Sequence, residues 1–177
     1  MHLHPGRRSI RLPGYDYRRA GWYFVTVCAL RRDGLDPHPF GEVVGGRVRL
    51  TERGRIIEAS WQALATRYTF AALDAFVVMP DHMHGLLGIQ DTVPLEARRP
   101  LGRLVGAFKT VAVNRIAGAE DVVAPPVWQR GYHERIVRSD VAFANVRRYI
   151  VKNPARWSRA PTGNRAGRMR AAQFPKL

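Results

Sequence analysis

Cysteine is nearly absent: Cys28 is the only one in 177 residues. A single thiol cannot form an internal disulfide, which excludes the disulfide-built scaffolds of small secreted proteins. Cys28 lies in the apolar run 23–30, where it reads as a buried strand residue, consistent with a reducing compartment. Acidic residues are also scarce, 14 against 29 basic ones, and lysine is limited to Lys109, Lys152 and Lys176. No apolar run approaches the roughly 20 residues of a membrane span. The N-terminus is polar and basic, without a signal-peptide core. The expectation is a cytoplasmic protein with no membrane partner. No internal repeat or low-complexity segment interrupts the chain.

The imbalance of charge is the first positive signal. Net charge is +15, an excess that repels itself within the fold and points to a polyanionic partner. Arginine suits bidentate phosphate contacts, although a GC-rich genome biases composition the same way. At 177 residues and 46% hydrophobic content, the chain is long enough for one proper core and too short for two. Three parts are expected: a basic, aromatic-bearing arm over 1–20, one domain over 21–157, and a basic, flexible tail over 158–177.

Hydrophobic periodicity gives the elements. A strand is expected over 22–29, a small hairpin over 42–49 turning at Gly45-Gly46, and a helix over 52–66 capped by Thr51. Short strands follow over 76–79 and 82–89, close enough to pair only antiparallel. A polar linker covers 90–100, and a helix spans 101–117 with Leu101, Leu104, Val105, Phe108, Val111, Ala112 and Ile116 on its apolar side. A strand at 133–138 precedes a last helix that begins at Ser139 or Asp140 and carries Val141, Phe143, Val146, Tyr149 and Ile150. Pro154 disfavours the helical conformation at Asn153, so that helix should end there. Without the hairpin and last helix the order is βαββαβ. The expected fold class is α+β: a ferredoxin-like split βαβ with an antiparallel sheet and helices on one face, plus the hairpin insertion and a C-terminal helix bearing Tyr149.

The segment Met79-Pro80-Asp81-His82-Met83-His84-Gly85-Leu86 is the most specific in the chain. On a strand, His82 and His84 point to one face and Met83 to the other. Two imidazoles held this way form half of a metal site, and imidazole alone does not discriminate among zinc, manganese, iron and copper. Tyr149 and Asn153, four apart, share one helix face. By spacing alone Tyr149 is better explained as an amphipathic anchor at the core edge than as a catalytic group, and Asn153 before proline as a common capping arrangement at a helix end.

Taken together, several blocks resemble the REP-associated tyrosine transposases, relatives of single-tyrosine insertion-sequence transposases within the His-hydrophobic-His endonuclease superfamily. They are Arg11-Leu-Pro-Gly-Tyr-Asp-Tyr17, Tyr23-Phe-Val-Thr26, Met79-Pro-Asp-His-Met-His-Gly85, Phe108-Lys109, Trp128-Gln-Arg-Gly-Tyr-His-Glu-Arg-Ile-Val-Arg138 and Tyr149-Ile-Val-Lys-Asn-Pro154. They run in order over about residues 7–157. The resemblance implies the same ferredoxin-like sheet. It further implies one divalent ion, Mg2+ or Mn2+, on His82, His84 and Asn153, and Tyr149 as the nucleophile that leaves a 5′-phosphotyrosine link and a free 3′-hydroxyl. The implied substrate is single-stranded or hairpin DNA of the repetitive extragenic palindrome type, placing the protein at the nucleoid. The implied activity is strand cleavage and transfer, that of a transposase. Rival readings are a non-catalytic hairpin-binding regulator and a metal-dependent phosphodiesterase using water.

Candidate DNA contacts are Arg8, Arg11 and Tyr15 of the arm, Lys109, and Trp128, Gln129, Arg130 and Arg138. They combine stacking surfaces with phosphate donors, as single-strand recognition requires. Alternation divides the strand residues among them between two faces, so some should pack or face solvent instead. A homodimer exchanging tyrosine helices, as in insertion-sequence relatives, and a monomer are both compatible with the sequence.

Overall fold

The computed structural model describes residues 12–123 and 125–157. Arg8, Arg11 and the tail expected from 158 lie outside the described residues. Alternation along β1 (Gly21–Cys28) and β5 (His82–Ile89) divides the domain into two faces. These strands pair antiparallel, with Phe24 opposite Leu86, Thr26 opposite His84 and Cys28 opposite His82. β4 (Ala71–Met79) and β6 (His133–Val137) flank them in the antiparallel order β4-β5-β1-β6. With α1 (Glu52–Arg67) and α2 (Leu101–Glu120) as crossovers, this is the ferredoxin-like arrangement that the sequence predicts. The predicted hairpin is β2 (Gly41–Val44) with β3 (Arg47–Leu50), turning through Gly45 and Gly46 at φ 58° and 76°.

One face carries the main core. Tyr23, Val25, Val27, Met83 and Leu87 of the sheet pack against Ile57, Trp61 and Leu64 of α1 and Leu104, Val105 and Phe108 of α2. Gly85 is required here: a Cβ would meet Trp61 Cζ2 at 2.5 Å. The other face is covered by α3 (Asp140–Trp157), whose Val146 and Ile150 bury Phe24 and Leu86. His82 and His84 belong to this second face, beneath the helix that carries Tyr149. Local caps set the helix starts. Thr51 Oγ1 accepts from the Gly54 N–H at 3.2 Å, and Ser139 Oγ accepts from the Ala142 N–H at 3.1 Å.

Three expectations need correction. β4 begins at Ala71 rather than residue 76, because a register shift between Leu73 and Phe76 breaks the alternation that marks a strand. Asp74 within that shift pairs with Arg147 of α3 at 2.9 Å. Second, α3 continues through Pro154 to Trp157. Proline penalises the interior of a helix, but here the last turn is held by packing, with the Trp157 ring against those of His82 and His38 at 5.8 and 6.0 Å. Third, Val141 is 72% exposed rather than on the covered side of α3. Within the expected arm, Tyr15 and Tyr17 pack against the main core. Among the described residues no helix is long and apolar enough to cross a membrane.

Candidate active site

β5 presents both imidazoles from one rigid strand, with ring centroids 4.6 Å apart. Each ring is held through Nδ1. Asp81 Oδ1 lies 2.6 Å from His82 Nδ1, and Thr26 Oγ1 lies 2.7 Å from His84 Nδ1 across the β1–β5 pair. Asp81 is itself braced by an ion pair with Arg31. A carboxylate acceptor fixes the proton of His82 on Nδ1 and turns the lone pair of Nε2 outward. His82 Nε2 is buried and has no hydrogen-bond partner among the described residues. Such an atom is costly in an apolar interior unless a ligand takes it.

α3 supplies the remaining groups from one stripe. The Tyr149 hydroxyl lies 3.5 Å from His84 Nε2, a long contact, and its ring stands edge-on to Phe24 with centroids 5.9 Å apart. Two turns on, Trp157 lies against His82. Asn153, midway between them at i+4 and i−4, is 8% exposed and on the same helix face. The Arg156 guanidinium sits over the Tyr149 ring, 5.4 Å from its centroid. Strand and helix thus bring His82, His84 and Tyr149 together, with Asn153 beside Tyr149 on α3.

Burial and the neighbouring His82 hold the His84 imidazole well below its ordinary range, so it is neutral near pH 7 and able to donate a lone pair. Burial works to raise the Asp81 carboxyl, but the hydrogen bonds and charges of His82 and Arg31 outweigh it and leave it below the usual carboxylate range. The Tyr149 phenol is raised by burial, against which the Asn153 amide and the Arg156 charge pull down. It therefore needs help to become a phenolate.

The donor set fits one divalent ion. Two imidazoles each held at Nδ1 by an oxygen are the usual preparation of a metal-binding histidine pair, and His82 Nε2 has no hydrogen-bond partner among the described residues. Among the described residues no three His, Cys, Asp or Glu side chains come together. An amide oxygen from the buried Asn153 side chain would complete a set of three protein donors. Mixed nitrogen and oxygen donors suit manganese, and magnesium when water fills the other positions.

The candidate DNA contacts have diverse surroundings. Lys109 Nζ donates to the carbonyls of Gln129 and Gly131 at 2.8 and 2.9 Å, and burial lowers its pKa. Trp128 lies against Phe40 and Phe108 and donates from Nε1 to the Lys109 carbonyl at 3.3 Å. The Gln129 N–H donates to the Cys28 carbonyl at 3.0 Å. These three shape the loop after α2 at the end of β1. The Tyr15 hydroxyl meets that of Tyr23 at 3.3 Å. Arg130 and Arg138 are exposed. Thr26, Arg31, Arg156 and Trp157 were not among the expected site residues. Thr26 and Arg31 reach the histidines only through pairing distant in sequence, and Arg156 and Trp157 enter only because α3 passes Pro154. Asp81 was readable, since a carboxylate beside a candidate ligand is its nearest possible support.

No family model matches the chain. An uncharacterized protein of Haemophilus influenzae (strain Rd) is 30% identical over 167 residues, covering 85% of this chain and 89% of that protein. Among solved structures, a REP-associated tyrosine transposase bound to a REP hairpin superposes with a TM-score of 0.57 at 17% identity, over 84% of this chain and 73% of that one. The chain belongs to one family with the Haemophilus influenzae protein, and its fold is that of the REP-associated tyrosine transposase.

Proposed function

We propose that this chain is a REP-associated tyrosine transposase of the His-hydrophobic-His superfamily. In this reading it cleaves and rejoins single-stranded or hairpin DNA through a 5′-phosphotyrosine intermediate on Tyr149. The observation that carries it is the meeting of the Tyr149 hydroxyl with His84 Nε2 beside a His82 Nε2 that has no partner. A structural tyrosine would not need two imidazoles so prepared. His82, His84 and Asn153 would hold one Mg2+ or Mn2+. When bound, the ion neutralises the non-bridging oxygens of the attacked phosphate.

The protein residues divide the remaining work. Asp81 and Thr26 orient the two rings. Neutral donors add no negative charge that would repel DNA. Phe24 and Ile150 exclude water from the inner side of Tyr149 and fix its ring. The phenol oxygen bonds to phosphorus, and the bond to the 3′ oxygen breaks with its electron pair on that oxygen. A phenol leaves more readily than an alcohol, so the intermediate conserves the bond for attack by another 3′-hydroxyl, which separates strand transfer from hydrolysis. The net charge of +15 supports a nucleic-acid substrate, with Arg130 and Arg138 as exposed phosphate donors. Such an enzyme would work in the cytoplasm, at the nucleoid.

The test is incubation with a labelled single-stranded hairpin library, with and without manganese, then a denaturing gel. A metal-dependent, SDS-resistant adduct that Tyr149→Phe abolishes is expected. Binding without adduct or cleavage would favour a hairpin-binding regulator, and cleavage without adduct under rapid quench would favour a phosphodiesterase using water.

A further inference from the structure

We propose that Arg156 is a catalytic residue, whose guanidinium binds the non-bridging oxygens of the scissile phosphate while Tyr149 attacks; this rests on the reading of Tyr149 as nucleophile. Three observations place it there. Arg156 lies seven residues after Tyr149, two helical turns along the same face of α3, with its guanidinium 5.4 Å from the centroid of the tyrosine ring. Among the described residues no carboxylate pairs with it, and it is exposed. The other arginines of the helix are engaged elsewhere: Arg147 with Asp74 at 2.9 Å, and Arg148 with Asn145 Oδ1 at 2.6 Å. Arg31, which follows β1, is held by Asp81.

The chemistry leaves a place for such a group. The candidate ligands are neutral, the nucleophile becomes anionic, and the phosphodiester already carries a charge. In the step the phenol loses its proton to water, its oxygen bonds to phosphorus, and the 3′ oxygen departs with the electron pair and takes a proton from water. Charge on the non-bridging oxygens must be matched throughout. A guanidinium does this with two parallel N–H donors and keeps its proton at any working pH. The exposed side of the Tyr149 ring is where a strand would approach, and Arg156 stands on that side. Its position also explains why α3 is carried one turn past Pro154: without that turn neither Arg156 nor Trp157 would reach the site.

The test is single-turnover adduct formation by wild type, Arg156→Ala and Arg156→Lys with manganese. Each protein meets the hairpin oligonucleotide that wild type cleaves, made either with a phosphodiester or with an uncharged methylphosphonate at the scissile position. Thermal melts check that each variant is folded. On the phosphodiester, Arg156→Ala should be slower by about 100-fold, the scale for losing one preorganised charge-matching donor. Hairpin affinity should change by about threefold or less, since one phosphate contact among many is lost. On the methylphosphonate, which has no anionic oxygen to match, the two proteins should differ little, and Arg156→Lys should recover part of the phosphodiester rate. Equal loss on both substrates would reduce Arg156 to a support for Tyr149, and an unaffected variant would remove it from the site; either overturns the proposal while leaving the tyrosine chemistry intact. Absence of any adduct with wild type overturns both.

Discussion

Asp81 Oδ1 stands 2.6 Å from His82 Nδ1, and the same carboxylate is paired with Arg31. The imidazole is thereby fixed in orientation and tautomer, with Nε2 left for a ligand. Asp81→Asn keeps an oxygen to accept from Nδ1 and removes only the charge. Manganese affinity, measured by electron paramagnetic resonance titration without DNA, should fall about 10- to 100-fold. Unchanged affinity in a folded variant would mean that the carboxylate serves the strand turn and not the ligand.

The site was legible in the sequence to the extent that its geometry is local. His82 and His84 share a face because strands alternate, and Tyr149 and Asn153 share one because helices repeat. Thr26 could not be found this way: it meets His84 only through the register of β1 on β5, 58 residues apart. The first half of β4 was hidden by its register shift, and the end of α3 by a proline whose local preference is overridden by the Trp157 contact. The fold class survived both errors, since it depends on the number and order of elements and not on their ends.

Cys28 lies opposite His82 on the neighbouring strand. Burial pushes its thiol up to about 11, with the Asp81 carboxylate adding to the effect. The reactive thiolate is therefore suppressed at neutral pH. Alkylation by iodoacetamide, followed by intact-mass spectrometry, should accelerate about tenfold per pH unit from pH 7 to 9.5 with no plateau, whereas the unfolded chain should level off near 8.5. Because the folded value is raised, the associated stability is complete below about pH 8.5 and is lost as pH climbs toward the folded value. A plateau near 8.5 in the native protein would show that water reaches the end of this strand.

Gly85 follows the second histidine and faces away from it, toward α1. A Cβ there would come within 2.5 Å of Trp61 Cζ2 and 2.9 Å of Cε2. The indole is fully buried and stacked edge-on with Phe108, so it has little room to retreat. Gly85→Ala should cost about 1–3 kcal/mol by overpacking, read as a lower midpoint in urea with an unchanged slope. If the variant is as stable as wild type, the Trp61 contact is looser than its burial indicates.

Pro154 sits inside α3 without an N–H to offer the carbonyl of Ile150, and its ring crowds that turn. Pro154→Ala restores the donor and favours helix, so it should stabilise the protein by some part of the roughly 3 kcal/mol that proline costs in a helix interior. The gain will be smaller if the proline ring contributes packing of its own. Activity need not follow stability. Trp157 and Arg156 reach His82 and Tyr149 along whatever direction the helix takes after residue 154, and proline often bends that direction. A straighter last turn should move both groups relative to the histidines. The expected outcome is a higher melting temperature together with slower adduct formation, measured on the same preparation. A variant that is both more stable and equally fast would show that the proline has no part in aiming Arg156.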